Sequence, residues 1–346
     1  MADLAPLPMQ PAVRARTASQ TLAAQAPRRT YGALDLGTNN CRLLVARPAP
    51  DGFVIVDAFS RIVRLGEGLA TTGKLSDAAM DRAVSALRIC GEKLRRRHVH
   101  ICRSVATEAC RRAANGAEFV ERVQRETGIM IDIIPAEEEA RLAVMGCHVL
   151  LEEGDGPALI FDIGGGSTEL VLVDTSGPLP TTLDWYSAPW GVVSLTEVEP
   201  GDALTPEGRL DIYTRMRARV EESFRAFATR LPSAAREHMR LLGTSGTVTT
   251  LASVHLGLPS YDRSAVDGLI VPADSMRGVS QMLSRMSHAE RVELACIGRE
   301  RADLVVAGCA ILESILDIFP AERLGVADRG IREGILRTLM ARDGFS

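Results

Sequence analysis

Aromatic residues make up only 4% of this 346-residue chain. So few rings leave little for base stacking, which argues against a single-strand nucleic-acid binder. Neither charge sign dominates: 40 Lys+Arg against 44 Asp+Glu give a formal net charge of -4. The mean field therefore offers nucleic acid no attraction, and any polyanion must be gripped by a local basic site. The cysteines, Cys41, Cys90, Cys102, Cys110, Cys147, Cys296 and Cys309, include no C-x-x-C pair. They sit mostly in apolar segments and read as reduced thiols of a cytoplasmic protein. The six histidines form no H-E-x-x-H and no paired metal spacing. The apolar run Leu304 to Leu312 is too short to span a bilayer, so no membrane partner is expected. Gly-Lys-Ser/Thr is also missing, which excludes a Walker-type phosphate loop.

What remains is a globular composition, 46% apolar and 24% charged, in a chain long enough for two domains. Residues 1–30 are rich in Ala, Pro and Arg and lack a sustained apolar stretch, which reads against a secretory signal. Arg14, Arg16, Arg28 and Arg29 make this segment basic, and it is expected to be a disordered tail.

One short loop occurs twice. Leu34-Asp35-Leu36-Gly37-Thr38-Asn39 is followed by Leu43-Leu44-Val45, and Phe161-Asp162-Ile163-Gly164-Gly165-Gly166 by Leu170-Val171-Leu172. Each copy reads as a β-hairpin with Asp on its first strand and a glycine-bearing turn. The second turn runs into the apolar stretch Glu169 to Val173 and not into a helix, so a dinucleotide fingerprint does not fit. Backbone without side chains approaches a ligand closely, and successive N–H groups in such turns make concavities for anions. Two turns facing each other would grip a chain of phosphates.

The surrounding pattern supports two similar α/β units. In the first, strands are expected at Phe53 to Val56, Arg61 to Leu65, His100 to Ala106 and Ile129 to Ile134. Its helices are expected after an Ser76 cap, after an Asn115 cap with Gly128 as the stop, and at 137–152. The second unit adds strands at Thr181 to Tyr186, Met239 to Leu242 and Leu324 to Val326. Its helices fall at 206–230, 275–286, 303–319 and 331–340, and a third glycine turn at 243–247 leads into another. The expected organisation is a tail (1–30), domain I (31–142) and domain II (143–346). Helix 137–152 lies near the hinge and the ligand cleft between the lobes.

This arrangement resembles the actin-like, sugar-kinase and Hsp70-type superfamily of two ribonuclease H-like domains. Within it the chain is similar to the exopolyphosphatase and guanosine pentaphosphate phosphatase family. The resemblance rests on Ala33 to Asn39, Ala106 to Asn115, Glu138-Glu139-Ala140-Arg141, Asp162-Ile163-Gly164-Gly165-Gly166-Ser167-Thr168-Glu169, Gly243 to Thr247 and Asp328 to Gly334, in family order. Ala106 stands where the family usually has Gly, and Thr38-Asn39 replaces the frequent Ser-Asn. Longer members add a helical domain that helps hold long polyphosphate, so high processivity is not implied.

The resemblance implies hydrolysis of a terminal phosphoanhydride in polyphosphate or guanosine pentaphosphate, with Mg²⁺. That chemistry needs an oriented water, a base and charge stabilisation. Periodicity turns both Glu138 and Glu139 inward and cannot separate them; the family's catalytic glutamate corresponds to Glu139. Arg111 stands where the family places a phosphate-contacting arginine. Asp162 is the candidate metal carboxylate and Glu169 a second ligand or water-orienter. Asp35, Gly37, Thr38 and Asn39 on one wall, and Gly164, Gly165, Gly166, Ser167 and Thr168 on the other, are candidate phosphate binders. Gly246 is a candidate for a distal phosphate. The basic run Arg95-Arg96-Arg97 reads as a helix C-terminus, where cations are favoured anyway. Two other functions are carried as alternatives: a superfamily phosphotransferase using polyphosphate or ATP, and a non-catalytic alarmone sensor. A homodimer is compatible with this reading, with no feature that marks its interface.

Overall fold

A computed structural model describes residues 29–50, 52–177, 179–199, 204–231 and 239–345. Residues 1–28, most of the expected tail, lie outside the described residues. The first sheet contains β1 Tyr31–Leu36, β2 Asn40–Ala49, β3 Gly52–Ile62, β4 Ile101–Ala106 and β5 Asp132–Ile133, in the order β3-β2-β1-β4-β5. The second contains β6 Ala158–Ile163, β7 Thr168–Asp174, β8 Thr181–Ala188, β9 Arg240–Thr244, β10 Ile270–Pro272 and β11 Arg323–Ala327, in the order β10-β11-β9-β6-β7-β8. With the edge strand β10 set aside, β8-β7-β6-β9-β11 repeats the first sheet in order and strand direction. The two-lobed actin-like duplication is therefore present.

Both glycine turns close antiparallel hairpins. Leu36 faces Cys41 at the end of one and Ile163 faces Thr168 at the end of the other. One step back, Asp35 faces Arg42 and Asp162 faces Glu169. Side-chain alternation then sorts each strand. Leu34, Leu36, Leu43 and Val45 enter one core, while Tyr31, Ala33, Leu44 and Ala46 enter another. In the second sheet Leu159, Phe161 and Ile163 point one way, and Ala158 and Ile160 the other. Asp35 and Asp162 fall on the inner faces of their sheets, toward the middle of the molecule.

The longer helices are α1 Asp77–Arg96, α2 Gly116–Thr127, α3 Ala136–Cys147, α4 Pro206–Ala228, α5 Ser245–His255, α6 Ala273–Arg285, α7 Val305–Ile318 and α8 Ile331–Arg342. The Ser76 hydroxyl accepts from Ala79 N and starts α1, and Gly128, at φ 73°, stops α2. Asn115 precedes α2, but its side chain does not cap the helix. It donates to Leu75 O and accepts from Leu75 N, tying two loops together. The expected strand at 61–65 is also corrected. Val63 and Arg64 leave β3 because their N–H groups donate to Asn39 O, and Gly66 N donates to Thr38 O. This segment braces the first glycine turn from behind. Gly243 and Thr244 pair with Phe161 and Asp162 inside β9, so the third turn is a strand end running straight into α5. Among the described residues no helix is long and apolar enough to cross a membrane.

The two lobes exchange their closing helices. α3 follows the first sheet in sequence, yet Ala140, Val144 and Cys147 pack with Ala158, Ile160, Val171 and Val173 of the second. α8 follows the second sheet, yet Ile335, Leu336, Leu339 and Met340 pack with Tyr31, Ala33 and Leu44 of the first. The sequence boundary at 142/143 thus falls inside a helix that both lobes use. The helices cross at bare backbone: a Cβ on Gly146 would lie 1.9 Å from Gly330 O, and one on Gly334 2.0 Å from Leu142 O. Gly146→Ala and Gly334→Ala are each expected to cost about 1–3 kcal/mol by overpacking. Calorimetry should show Tm lowered by several degrees, with far-UV dichroism unchanged.

Candidate active site

The two hairpin turns meet at one cleft. A Cβ on Gly165 would stand 3.1 Å from Asn39 N, and one on Gly166 only 2.6 Å from Thr38 Oγ1. The absence of side chains on the second turn is what lets the first approach. The cleft measures about 930 Å³ including its open mouth. Its walls include Asp35, Gly37, Thr38 and Asn39 from the first lobe and Asp162, Gly164, Gly165, Gly166, Ser167 and Glu169 from the second. Glu139 closes its floor and Gly246 its far end.

α3 delivers Glu139. Its first turn carries three glutamates, and the structure separates the pair that periodicity left joined. Glu139 is 7% exposed. Glu138 is half-buried and turned aside to Arg103 at 2.9 Å and Arg141 at 3.0 Å. Those partners hold its carboxyl below the usual range. Glu139 is pushed well above that range, first by burial and then by the nearby charge of Glu169, with Arg111 pulling the other way.

Two expected phosphate contacts are used differently. Thr168 is fully buried and its hydroxyl donates to Trp190 O at 2.7 Å, so it serves the hairpin and not the cleft. Arg111 lies off the cleft wall. Its guanidinium donates to Glu139 Oε2 at 3.1 Å, Ile134 O at 2.7 Å and Glu108 Oε2 at 2.6 Å. It clamps the Glu139 carboxylate in place.

Four carboxylates share this space. Burial raises Asp35 and lifts Asp162 to about 6. Glu169 is lifted to about 7 by burial and by Asp162, despite hydrogen bonds from Ser167 Oγ at 2.7 Å and Ser187 Oγ at 2.9 Å. Asp35 Oδ1 is shielded from solvent and has no hydrogen-bond partner. An excess of buried, under-compensated carboxylate oxygen suits a hard cation. Magnesium in particular is held by one or two carboxylates, with water and substrate phosphate completing its shell. Among the described residues no three or more His, Cys, Asp or Glu side chains form a metal cage.

Sequence reasoning missed the basic end of the cleft. Arg42 Nη2 and Arg301 Nη1, from opposite lobes, lie 3.4 and 3.7 Å from the Cβ position of Gly246. They overhang the N-terminus of α5, where backbone N–H groups favour anions. Ser245 enters that helix at φ 95°, an uncommon conformation for a residue with a side chain and one often stored at functional sites. Arg42 was legible in principle as the cross-strand neighbour of Asp35. Arg301 sits in an aperiodic loop and carries no sequence signal. Thr107 and Glu108, within a motif that sequence reading quoted, also line the cleft.

The structure is a duplicated actin-like fold whose cleft brings together two glycine turns, a pair of arginines and a buried glutamate, an arrangement of the phosphatase class. The sequence pattern of the Ppx/GppA phosphatase family matches residues 44–343. The chain belongs to that family. It is 31% identical over 321 residues to exopolyphosphatase 2 of Mycobacterium tuberculosis, covering 89% of this chain and 97% of that one. Among solved structures, an exopolyphosphatase-like protein superposes with a TM-score of 0.81 at 30% identity, covering 90% of this chain and 99% of that one. The Aquifex aeolicus Ppx/GppA family member gives 0.74 at 28% identity, with 92% and 99% coverage.

Proposed function

We propose that this protein is a Mg²⁺-dependent exopolyphosphatase that releases orthophosphate from the end of inorganic polyphosphate. The observation that carries the proposal is Glu139, buried at the floor of a cleft walled by both glycine turns. The N–H groups of Thr38, Asn39 and Gly165 to Ser167 bind the terminal phosphoryl oxygens, while those of Gly37 and Gly164 close their turns onto Asn40 O and Ser167 O. Being fixed, they stabilise developing charge without reorganising. Glu139, oriented by Arg111, takes the proton of the attacking water; its raised affinity for protons favours that transfer. Arg42, Arg301 and the start of α5 bind phosphates behind the terminal one. Asp162 and Asp35 would hold Mg²⁺, with Glu169 orienting its water. When bound, the ion neutralises charge on the scissile phosphates.

The test compares phosphate release from long polyphosphate, tripolyphosphate and guanosine pentaphosphate in Mg²⁺ buffer, with and without ADP. Release from polyphosphate without ATP formation is the expected result. ATP formation in place of free phosphate would identify a phosphotransferase. Tight binding of guanosine pentaphosphate without turnover would identify a sensor.

A further inference from the structure

The cleft does not end at Gly246. Asn40 and Arg301 line both it and a second groove that runs outward between the lobes. One side of this groove is the end of β3, with Ser60, Arg61 and Ile62. The other is the loop from Ile297 to Arg301. Its lining includes three arginines, Arg61, Arg299 and Arg301, against a single acid, Glu300; Arg301 Nη1 donates to Thr250 Oγ1 in the cleft at 2.8 Å. Arg61 and Arg299 are exposed and make no ion pair or hydrogen bond among the described residues; the Arg61 guanidinium lies over the Phe59 ring, 5.5 Å from its centroid, which leaves its N–H groups at the ring edge without an anion. This contrasts with the rest of the surface, where arginines are commonly paired, as Arg82 is with Glu67 and Arg122 with Asp81. Beside the groove, Arg64 bridges the lobes: Nη2 lies 3.0 Å from Asp303 and donates to Glu300 O at 3.4 Å. That bridge braces the loop that carries Arg299 and Arg301.

We propose that this groove is a distal track for a linear polyphosphate chain whose end is held in the cleft. The inference rests on the exopolyphosphatase reading above and extends it to the substrate's length. The chemistry of the walls selects the occupant. The groove shares Asn40 and Arg301 with the basic end of the cleft, so a chain held at its terminus reaches it past those two residues. No aromatic ring lines it, so it offers a nucleobase no stacking surface. Unpaired guanidiniums suit a ligand with a negative charge on every repeat. Because Arg61 and Arg299 are exposed, their contribution is one of capture and retention and is screened by salt.

The experiment is a charge reversal, Arg61→Glu with Arg299→Glu, compared with wild type and with Arg125→Glu. Arg125 is an exposed arginine of α2 away from the groove, so its reversal controls for overall charge. Initial phosphate release is measured on long-chain polyphosphate and on tripolyphosphate at two salt concentrations. The expected result is a fall of at least about fivefold in the ratio of kcat/KM on long chains to that on tripolyphosphate. The loss should lie in KM, with a weaker salt dependence than wild type. Arg61→Lys with Arg299→Lys should keep the wild-type ratio. Release from both substrates with an unchanged ratio would overturn the track alone, as would an equal fall in Arg125→Glu. Wild-type protein that releases phosphate from neither substrate would remove the exopolyphosphatase reading and the track together.

Discussion

Glu139→Gln should reduce phosphate release by about 10²–10⁴-fold in kcat, with the folded protein intact. The substitution keeps the shape and still offers Arg111 an oxygen to bond, so the 3.1 Å contact has a successor. It also removes a buried charge that Glu169, Asp35 and Asp162 all disfavour. Stability should therefore be equal to or above wild type, which separates catalytic loss from unfolding. Substrate binding should survive, because the glycine turns and the basic end are untouched. The pH profile gives a second readout. A base works only when deprotonated, so wild-type kcat/KM should fall on acidification along a limb lying above the ordinary glutamate range. Near-wild-type turnover in Glu139→Gln would transfer the role of base to another cleft carboxylate.

Asp162→Asn should abolish most activity while making the metal-free protein more stable at pH 8. Carboxylates whose proton affinity is raised by folding contribute stability that is complete below their unfolded pKa. That contribution is lost as pH rises through the folded one. With Asp162 at about 6 and Glu169 at about 7, the window for the metal-free protein runs from roughly pH 4 to 7. The wild-type Tm without metal should accordingly be higher at pH 5.5 than at pH 8. Raising Asp162 from 3.8 to about 6 corresponds to at most about 3 kcal/mol. Asparagine removes that penalty and relieves Glu169, so its Tm at pH 8 should exceed wild type by at least about 2 °C. Added Mg²⁺ should raise the wild-type Tm at pH 8 and leave the variant nearly unmoved. A variant that still responds to Mg²⁺ like wild type would place the ion elsewhere.

The hairpins were legible because their signal is local: Asp, an aliphatic residue and glycine, then an apolar run that resumes at a fixed distance. Sheet order was less so, since alternation in β1 or β6 tells which residues are buried but not against what. The amphipathic face of α8 was readable, yet nothing in it says that Ile335 and Leu339 lie on the first sheet. Choosing between Glu138 and Glu139 failed on periodicity because each shares a helical face with apolar residues, Glu138 with Leu142 and Met145 and Glu139 with Leu142 and Ala143. Their partners decide it, and Arg103 is 35 positions away in sequence. Asn115 shows the same limit. A residue that reads as a helix cap was taken by Leu75, 40 positions distant. Arg301 was invisible because a cation in an aperiodic loop is unremarked until the fold brings Arg42 beside it.

The exchange of α3 and α8 has a consequence for how this chain can be cut. A gene split between the lobes would yield two fragments, each with an uncovered apolar sheet face and a helix shaped for the other half. Neither would be a self-sufficient module, and they should be recovered only by co-production. Once such a fold has been fastened in this way, shuffling one lobe alone into another context forfeits its own lining, so the pair is inherited as a unit.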